Sequence, residues 1–406
     1  MSGFGPTGRL HAPMTVMQVI PHLDTGGAEQ TCIEIAEALV AGGHRALVAG
    51  REGRLNEALA AVGGEFLPFN GTAKSPLAMS RNARTLTRFI RQKGVHIVHA
   101  RSRAPGWSAR SAARRRGVVF VTTYHGIYSE NSWVKKAYNR VMASGDMVIA
   151  NSGFTADLIR QRYRTPEKRL CVINRCFDPE IFDPGRFSVA DIAATRHAWG
   201  LRPGQKAIVL AGRLTSWKGQ AVLLRAAALL KGEAAVPPFA VVLVGDDQGR
   251  DGYRNELFGL VAELGLDGSV HMVGHSSKMA QVFAAADLVV SASTRPEAFG
   301  RVAVEAQAMA RPVIVSDLGP VHETVRAVPD VADTEKSGWI VPPDDPEALA
   351  NALAEALALP AEALSAIGVR GRIHVNKSYT KATMTAATLS VYEELMFQRQ
   401  LSTTFS

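Results

Sequence analysis

The sequence predicts an α/β protein built from two doubly wound domains facing a cleft. Three observations carry this expectation. The chain has 406 residues, beyond the roughly 250–300 at which a single hydrophobic core stops growing. Short β-branched runs alternate with longer helical patterns, the signature of parallel sheets covered by helices. The alternation occurs in two series, separated by a stretch rich in Asp, Pro and Gly.

In the first series, strands are predicted over residues 16–20, 45–48, 96–99, 118–122 and 146–150, with helices over 28–40, 80–93 and 131–142. The second series has strands over 206–210, 240–244, 269–273, 287–291 and 312–315, with helices over 219–230, 253–264 and 299–310. Between them, residues 176–204 contain Phe177-Asp178-Pro179 and Phe182-Asp183-Pro184-Gly185. Proline interrupts ladders and helices alike, so this stretch is the expected interdomain linker. After Pro360 the pattern is helical to about residue 397. The expected division is a flexible leader (1–13), a first domain (14–190), a second domain (191–375) and a closing helix (376–397). In such sheets, ligands sit at the carboxyl ends of the strands.

Hydrophobic residues make up 47% and charged residues 20%, which excludes a disordered chain. No apolar run approaches the roughly 20 residues that span a bilayer. Residues 1–13 lack the apolar centre of a signal peptide, so a cytoplasmic location is expected. Three cysteines, Cys32, Cys171 and Cys176, form no closed disulfide framework and suit a reducing compartment. The net charge of +9 is uneven: residues 1–190 carry +12 and the remainder −3. Such asymmetry fits an anionic partner or a basic surface kept for solubility.

The strongest motif is Arg213-Leu-Thr-Ser-Trp-Lys218-Gly219, at the end of an apolar strand. Two cations there can neutralise a diphosphate, and the next helix offers free N–H groups at its start. It is not a Walker A loop, because Gly219-Gln220 stands where Ser or Thr is required. A second motif runs Arg295-Pro-Glu297-Ala-Phe299-Gly300-Arg301-Val-Ala-Val-Glu305. Glu297 precedes the predicted helix and Glu305 lies about two turns inside it. Paired carboxylates in this setting suit vicinal hydroxyls, one set on a sugar and one on a ribose. Gly300 would let backbone amides approach a phosphate. In the basic half, Thr25-Gly26-Gly27-Ala28-Glu29 follows the first strand, and His125-Gly126 follows a later one. Metal chemistry has little support: D-x-D, H-E-x-x-H and Cys/His clusters are absent from the sequence. No metal or other cofactor is expected. Arg81, Arg84, Arg88 and Arg91 recur at helical spacing, opposite apolar Leu86, Phe89 and Ile90, with Arg101, Arg103, Arg110 and Arg114–Arg116 nearby. The pattern suits either a peripheral contact with anionic membrane or a solvated helix face.

Together these motifs resemble the retaining family-four glycosyltransferases (glycosyl transferases group 1), whose GT-B fold has two Rossmann-like domains. The resemblance runs from about Val16 to the final helix, and its most specific parts are Arg213/Lys218 and the E-x7-E pattern of Glu297 and Glu305. It implies that the first domain binds the acceptor and the second a nucleotide diphosphate sugar. Arg213 and Lys218 would bind the diphosphate, Glu297 the donor sugar and Glu305 the ribose. Phe299, Gly300 and Arg301 would form the loop beside the phosphates, with the base near Gly274 and His275. Gly26 and Gly27 match the glycine loop across from the donor, and His125 a histidine that contacts the transferred sugar. The closing helix would return to the first domain. Leu318-Gly319-Pro320 departs from the family's frequent Gly-Gly, and Ala298 replaces a common glycine.

The implied reaction moves a hexose to a hydroxyl of a glycan or lipid-linked acceptor, as in lipopolysaccharide or surface polysaccharide synthesis. Two alternatives stand beside it. A GT-B sugar-nucleotide epimerase would convert its donor with no acceptor present. A nucleic-acid-binding protein would use the basic half, but neither a helix-turn-helix, a zinc finger nor an aromatic RNA-binding signature occurs, and no nucleic-acid partner is expected.

Overall fold

The computed structural model describes residues 12–24, 26–249 and 251–404. Most of the leader and Thr25 therefore lie outside the described residues. The chain divides into two compact units: residues 1–175 with 381–406, and residues 176–380.

The first unit runs β1 (Thr15–His22), α1 (Gly27–Ala41), β2 (Arg45–Arg51), α2 (Asn56–Ala61), β3 (Glu65–Pro68), α3 (Pro76–Lys93), β4 (Ile97–Ala100), α4 (Arg103–Arg116), β5 (Val119–Tyr124), α5 (Trp133–Asn139), β6 (Met147–Ala150), α6 (Gly153–Tyr163) and β7 (Leu170–Val172). Its seven strands lie in the order β3-β2-β1-β4-β5-β6-β7, and all pairings are parallel. The reversal of order beside β1 is the switch point at which such sheets open toward ligands. The central strands are buried throughout, as expected where helices cover both faces.

The second unit runs α7 (Val189–Ala198), β8 (Lys206–Ala211), α8 (Gln220–Leu229), β9 (Phe239–Val244), α9 (Asp251–Glu263), β10 (Val270–Gly274), α10 (Met279–Ala285), β11 (Leu288–Ser291), α11 (Arg301–Ala308), β12 (Val313–Ser316), α12 (Val321–Thr324), β13 (Gly338–Val341), α13 (Pro346–Ala358) and α14 (Ala361–Ser378). Its six parallel strands follow the order β10-β9-β8-β11-β12-β13. Apolar layers lie on both faces of this sheet, one built around Leu210, Leu223 and Leu353, the other around Val209, Phe283 and Met309.

The segment expected as a linker belongs instead to the second unit. Phe177, Phe182, Trp199 and Leu201 are buried in its core. The Phe177 N–H donates to the Tyr379 carbonyl, and the Arg372 guanidinium pairs with Asp183. Its prolines break regular structure, but its aromatic residues anchor it. The division consequently falls at residues 175/176 rather than near 190.

The last helix, α15 (Lys381–Thr404), is part of the first unit. It packs on α1, Lys381 approaches Glu37 at 3.5 Å, and Arg399 reaches the Gly117 carbonyl. Tyr392 is fully buried and meets His99 Nδ1 at 2.6 Å. Among the described residues, no single helix is long and apolar enough to cross a membrane.

Candidate active site

The second unit gathers most of the residues singled out by sequence at the carboxyl ends of β8 and β11. Arg213 leaves just beyond β8 and is exposed to solvent, with Nη1 3.5 Å from Gln248 Oε1. Its carbonyl accepts from the Gln220 amide at 2.9 Å, which ties the loop to the first turn of α8. The loop then makes one 3-10 turn over Ser216–Lys218. Gly219 follows at φ +75, and a Cβ there would stand 1.7 Å from the Ala292 carbonyl oxygen. Only glycine permits that approach. The same contact is fixed by Thr294, whose N–H donates to the Trp217 carbonyl at 2.8 Å.

Pressed against the end of β11 in this way, Lys218 reaches Glu297. Its Nζ donates to Glu297 Oε1 at 2.7 Å and lies 4.6 Å from the Trp217 ring centroid. The Ser293 hydroxyl donates to the same carboxylate oxygen at 2.7 Å. A further glycine supports the carboxylate from behind. Gly319, at φ +72, faces the backbone of Glu297, where a Cβ would come within 2.5 Å of the carbonyl oxygen. The departure at Leu318-Gly319-Pro320 thus keeps the one glycine that this packing needs.

Glu305 is buried, and Arg301 grips its Oε1 through Nε at 3.0 Å and Nη2 at 2.9 Å. Burial pushes the Glu305 carboxyl above its ordinary value, while the neighbouring guanidinium works in the opposite direction. The helix opens at Arg301, so Glu305 sits about one turn inside it rather than two. Gly300 is the N-cap and provides no side-chain cap; Gly219 leaves α8 in the same condition. Both helices therefore present uncapped N-termini, where an anion is favoured. Phe299 does not line the loop with its ring. The ring is buried 5.6 Å from that of Tyr379 and anchors the loop to the core. Gly274 closes β10, and His275 stands exposed beyond it.

In the first unit, Gly26 is the N-cap and Gly27 the first residue of α1, again without a side-chain cap. The nearby Glu29 carboxylate lies 3.8 Å from His22 Nδ1. His125 follows β5. Its Nδ1 meets Arg175 Nη2 at 3.0 Å, and burial together with the charge of Arg175 holds its pKa well below the usual histidine range. Of the basic residues grouped by sequence, Arg81, Arg84, Arg88 and Arg91 are exposed along α3, and Arg114–Arg116 at the end of α4. Arg101 is not part of that surface, being only 3% exposed.

Sequence reasoning missed Ser293, and it noted Gly319 only within a departure from the family's Gly-Gly, without its packing against Glu297. Ser293 stands four residues before Glu297 on the way out of an apolar strand, a position that could have marked it. Nothing local marks Gly319, whose partner lies on another strand end.

Residues 25–181 match the profile described as Glycosyltransferase Family 4, and residues 191–373 match Glycosyl transferases group 1. A D-inositol 3-phosphate glycosyltransferase of Saccharomonospora viridis is 30% identical over 319 residues, covering 74% of this chain and 70% of that protein. Among solved structures, a glycosyltransferase from Rickettsia africae superposes with a TM-score of 0.85 at 29% identity, covering 95% of this chain and 99% of the other. The Anabaena protein HepE, in complex with UDP and glucose, gives 0.79 at 23% identity, with 94% and 99% covered. The sheets, the paired motifs and these likenesses agree: the chain belongs to the family-four, group 1 glycosyltransferases and has the GT-B fold.

Proposed function

We propose that the chain is a retaining, metal-independent hexosyltransferase, using a nucleoside diphosphate sugar to glycosylate a hydroxyl of a glycan or lipid-linked acceptor. The observation that carries this reading is the Lys218–Glu297–Ser293 constellation beside the two uncapped helix starts. Arg213, Lys218 and the amides of α8 and α11 would receive the diphosphate. Its charge grows as the bond between the sugar anomeric carbon and the phosphate oxygen breaks. Two side-chain cations and two helix N-termini provide the charge that a divalent ion would otherwise supply. Glu297, already held by Lys218 and Ser293, would orient hydroxyls of the donor sugar, and Glu305 those of the ribose. The base would lie near Gly274 and His275.

With Glu297 engaged in this way, the reading assigns no enzymic nucleophile among the described residues. The acceptor oxygen would bond to the anomeric carbon on the face the phosphate leaves, and its proton would pass to a leaving phosphate oxygen. In the first unit, Gly26, Gly27 and His125 would serve the acceptor and the transferred sugar.

The acceptor class favoured is a lipopolysaccharide or surface polysaccharide intermediate, reached at the inner face of the cytoplasmic membrane. Support comes from the exposed arginines of α3 and from Leu77, Trp133 and Val134, which are exposed beside Lys74, Lys135 and Lys136. The name of the Saccharomonospora relative offers a second acceptor class, a phosphorylated cyclitol.

The test is a thermal-shift screen against UDP, GDP, ADP and their hexose conjugates, with and without EDTA. The anomeric configuration of any product would then be read by NMR. Stabilisation by one nucleotide family, unchanged by EDTA, with retained configuration is expected. Conversion of the donor in the absence of acceptor, or dependence on a divalent ion, would overturn the reading.

A further inference from the structure

His322, on the short helix α12 of the second unit, stands between two aspartates. Its Nε2 lies 2.9 Å from Asp317 Oδ1 and its Nδ1 2.5 Å from Asp330 Oδ2, and all three side chains are about half exposed. An ionised carboxylate can only accept hydrogen bonds, so both ring nitrogens must carry a proton for both contacts to hold. The clamp is therefore complete only when the ring is an imidazolium. A neutral ring keeps one proton, and its bare nitrogen then faces a carboxylate oxygen.

The surroundings favour the cation. The hydrogen bond to Asp330 lifts the His322 pKa above its ordinary 6.5, burial opposes the rise, and the bond to Asp317 and both carboxylate charges add to it. Neighbouring charges are engaged elsewhere. Arg326 pairs with Glu335, and His374 of α14 donates to the Glu323 carbonyl at 3.2 Å. Burial favours the neutral form of His374, and so do the charges of Arg326 and Lys377.

The clamp holds a loop that touches the candidate site. Asp317 is fixed to the sheet just beyond β12, where its N–H donates to the Val341 carbonyl at 2.8 Å. The bridge from Asp317 to His322 closes Leu318-Gly319-Pro320-Val321 into a tight loop. Gly319 lies so close to Glu297 that a Cβ there would stand 2.5 Å from the Glu297 carbonyl oxygen. Leu318, Pro320 and Val321 line the same pocket as Ser293 and Glu297. The far side of α12 has an anchor of its own, the Tyr379 hydroxyl, which donates to the Glu323 carbonyl at 2.5 Å.

We propose that His322, as an imidazolium between Asp317 and Asp330, is a positioning residue for Glu297. It presses the Gly319 loop against the Glu297 backbone and so sets the carboxylate for the donor sugar. The proposal rests on the reading of Glu297 as the group that meets that sugar. Because the pKa of His322 is raised by folding, the clamp is whole below about pH 6.5 and is lost as pH rises through the folded value. Affinity for the sugar nucleotide follows it, whereas affinity for the nucleoside diphosphate alone does not.

The test uses the full chain and calorimetry between about pH 6 and about pH 9. The probes are UDP with UDP-glucose, GDP with GDP-mannose or ADP with ADP-glucose, whichever pair stabilises the protein. His322→Gln carries no charge and His322→Arg keeps a cation throughout the range. Near pH 6, His322→Gln should bind the sugar nucleotide about threefold more weakly than wild type, the scale of a half-exposed ion pair. His322→Arg should match wild type there. Near pH 9, wild type should have fallen to the level of His322→Gln, while His322→Arg keeps its affinity. All three should bind the nucleoside diphosphate alike at each pH. Equal sugar-nucleotide affinity of His322→Gln and wild type near pH 6, or a gap between them that persists unchanged to pH 9, overturns the proposal. Glu297→Gln judges the underlying reading separately: if it binds the sugar nucleotide as tightly as wild type, Glu297 does not meet the sugar. Hydrogen exchange at the amides of Leu318, Gly319 and Val321 near pH 6 then still judges the clamp. Greater protection in wild type than in His322→Gln supports it, and equal protection overturns it.

Discussion

Replacing Lys218 by alanine separates the structural from the chemical role of the ion pair at the end of β11. Lys218 Nζ and Glu297 Oε1 are 2.7 Å apart, and their side chains are 13% and 22% exposed. The charges are too buried for water to replace the lost partner fully, yet too exposed for the penalty of a sealed interior. The substitution leaves Glu297 with the Ser293 hydroxyl alone and should destabilise the second unit by about 1–3 kcal/mol. Loss of a preorganised cation from a developing phosphate charge should cost about 3–4 kcal/mol in the transition state, or about 10²–10³ in kcat. Urea unfolding measures the first effect, and nucleoside diphosphate release in the presence of acceptor measures the second. The double variant Lys218→Ala/Glu297→Gln removes the stranded carboxylate charge. It should regain most of the stability and none of the turnover. A folded Lys218→Ala protein within threefold of wild-type kcat would refute the charge argument, and so would recovery of turnover in the double variant.

Other consequences are equally direct. Gly219→Ala forces a Cβ toward the Ala292 carbonyl at a positive φ, and should cost at least about 2 kcal/mol in urea unfolding, with loss of nucleotide binding. Glu305 has a folded pKa raised above its unfolded value. Its contribution to stability is therefore present below the unfolded pKa of about 4.5 and is lost as pH rises through the folded value. Glu305→Gln should consequently gain on wild type as pH rises above 4.5, while binding nucleotide more weakly in calorimetry. His125 has the opposite linkage. Its folded pKa is depressed, so stability is present above the ordinary value of 6.5 and is lost as pH falls below it. His125→Gln should flatten the stability profile between pH 6.5 and 5 by up to about 1.4 kcal/mol per pH unit, the worth of one proton.

The parts of the fold that could be read from sequence are those with a local signal. Long apolar strands such as β8 and β9 announce themselves by their own residues. The missed strands are short: Glu65–Pro68, Leu170–Val172 and Gly338–Val341, of four, three and four residues, each at a sheet edge. They exist because a neighbouring strand offers a ladder, and no pattern of three or four residues encodes that. The segment beginning at Cys176 misled for a related reason, since its prolines are visible locally and the burial of its aromatic residues is not. At the site, the ionic residues could be found because charges at strand ends are conspicuous. The glycines that bring the loops into contact, and the burial of Arg101 within a run of arginines, depend on partners far away in sequence.

The return of α15 to the first unit makes that unit discontinuous, with the second unit inserted within it. During synthesis, residues 176–380 emerge as an uninterrupted block able to complete their own sheet. The earlier-made strands must wait for Tyr392, which fills their interior and meets His99. Folding order therefore runs against chain order, with the second-made unit closing first. A released chain ending before residue 392 would hold one complete unit and one with an open core. Removing the final helix would harm the unit farthest from it in sequence, and residues 176–380 are the segment to express alone.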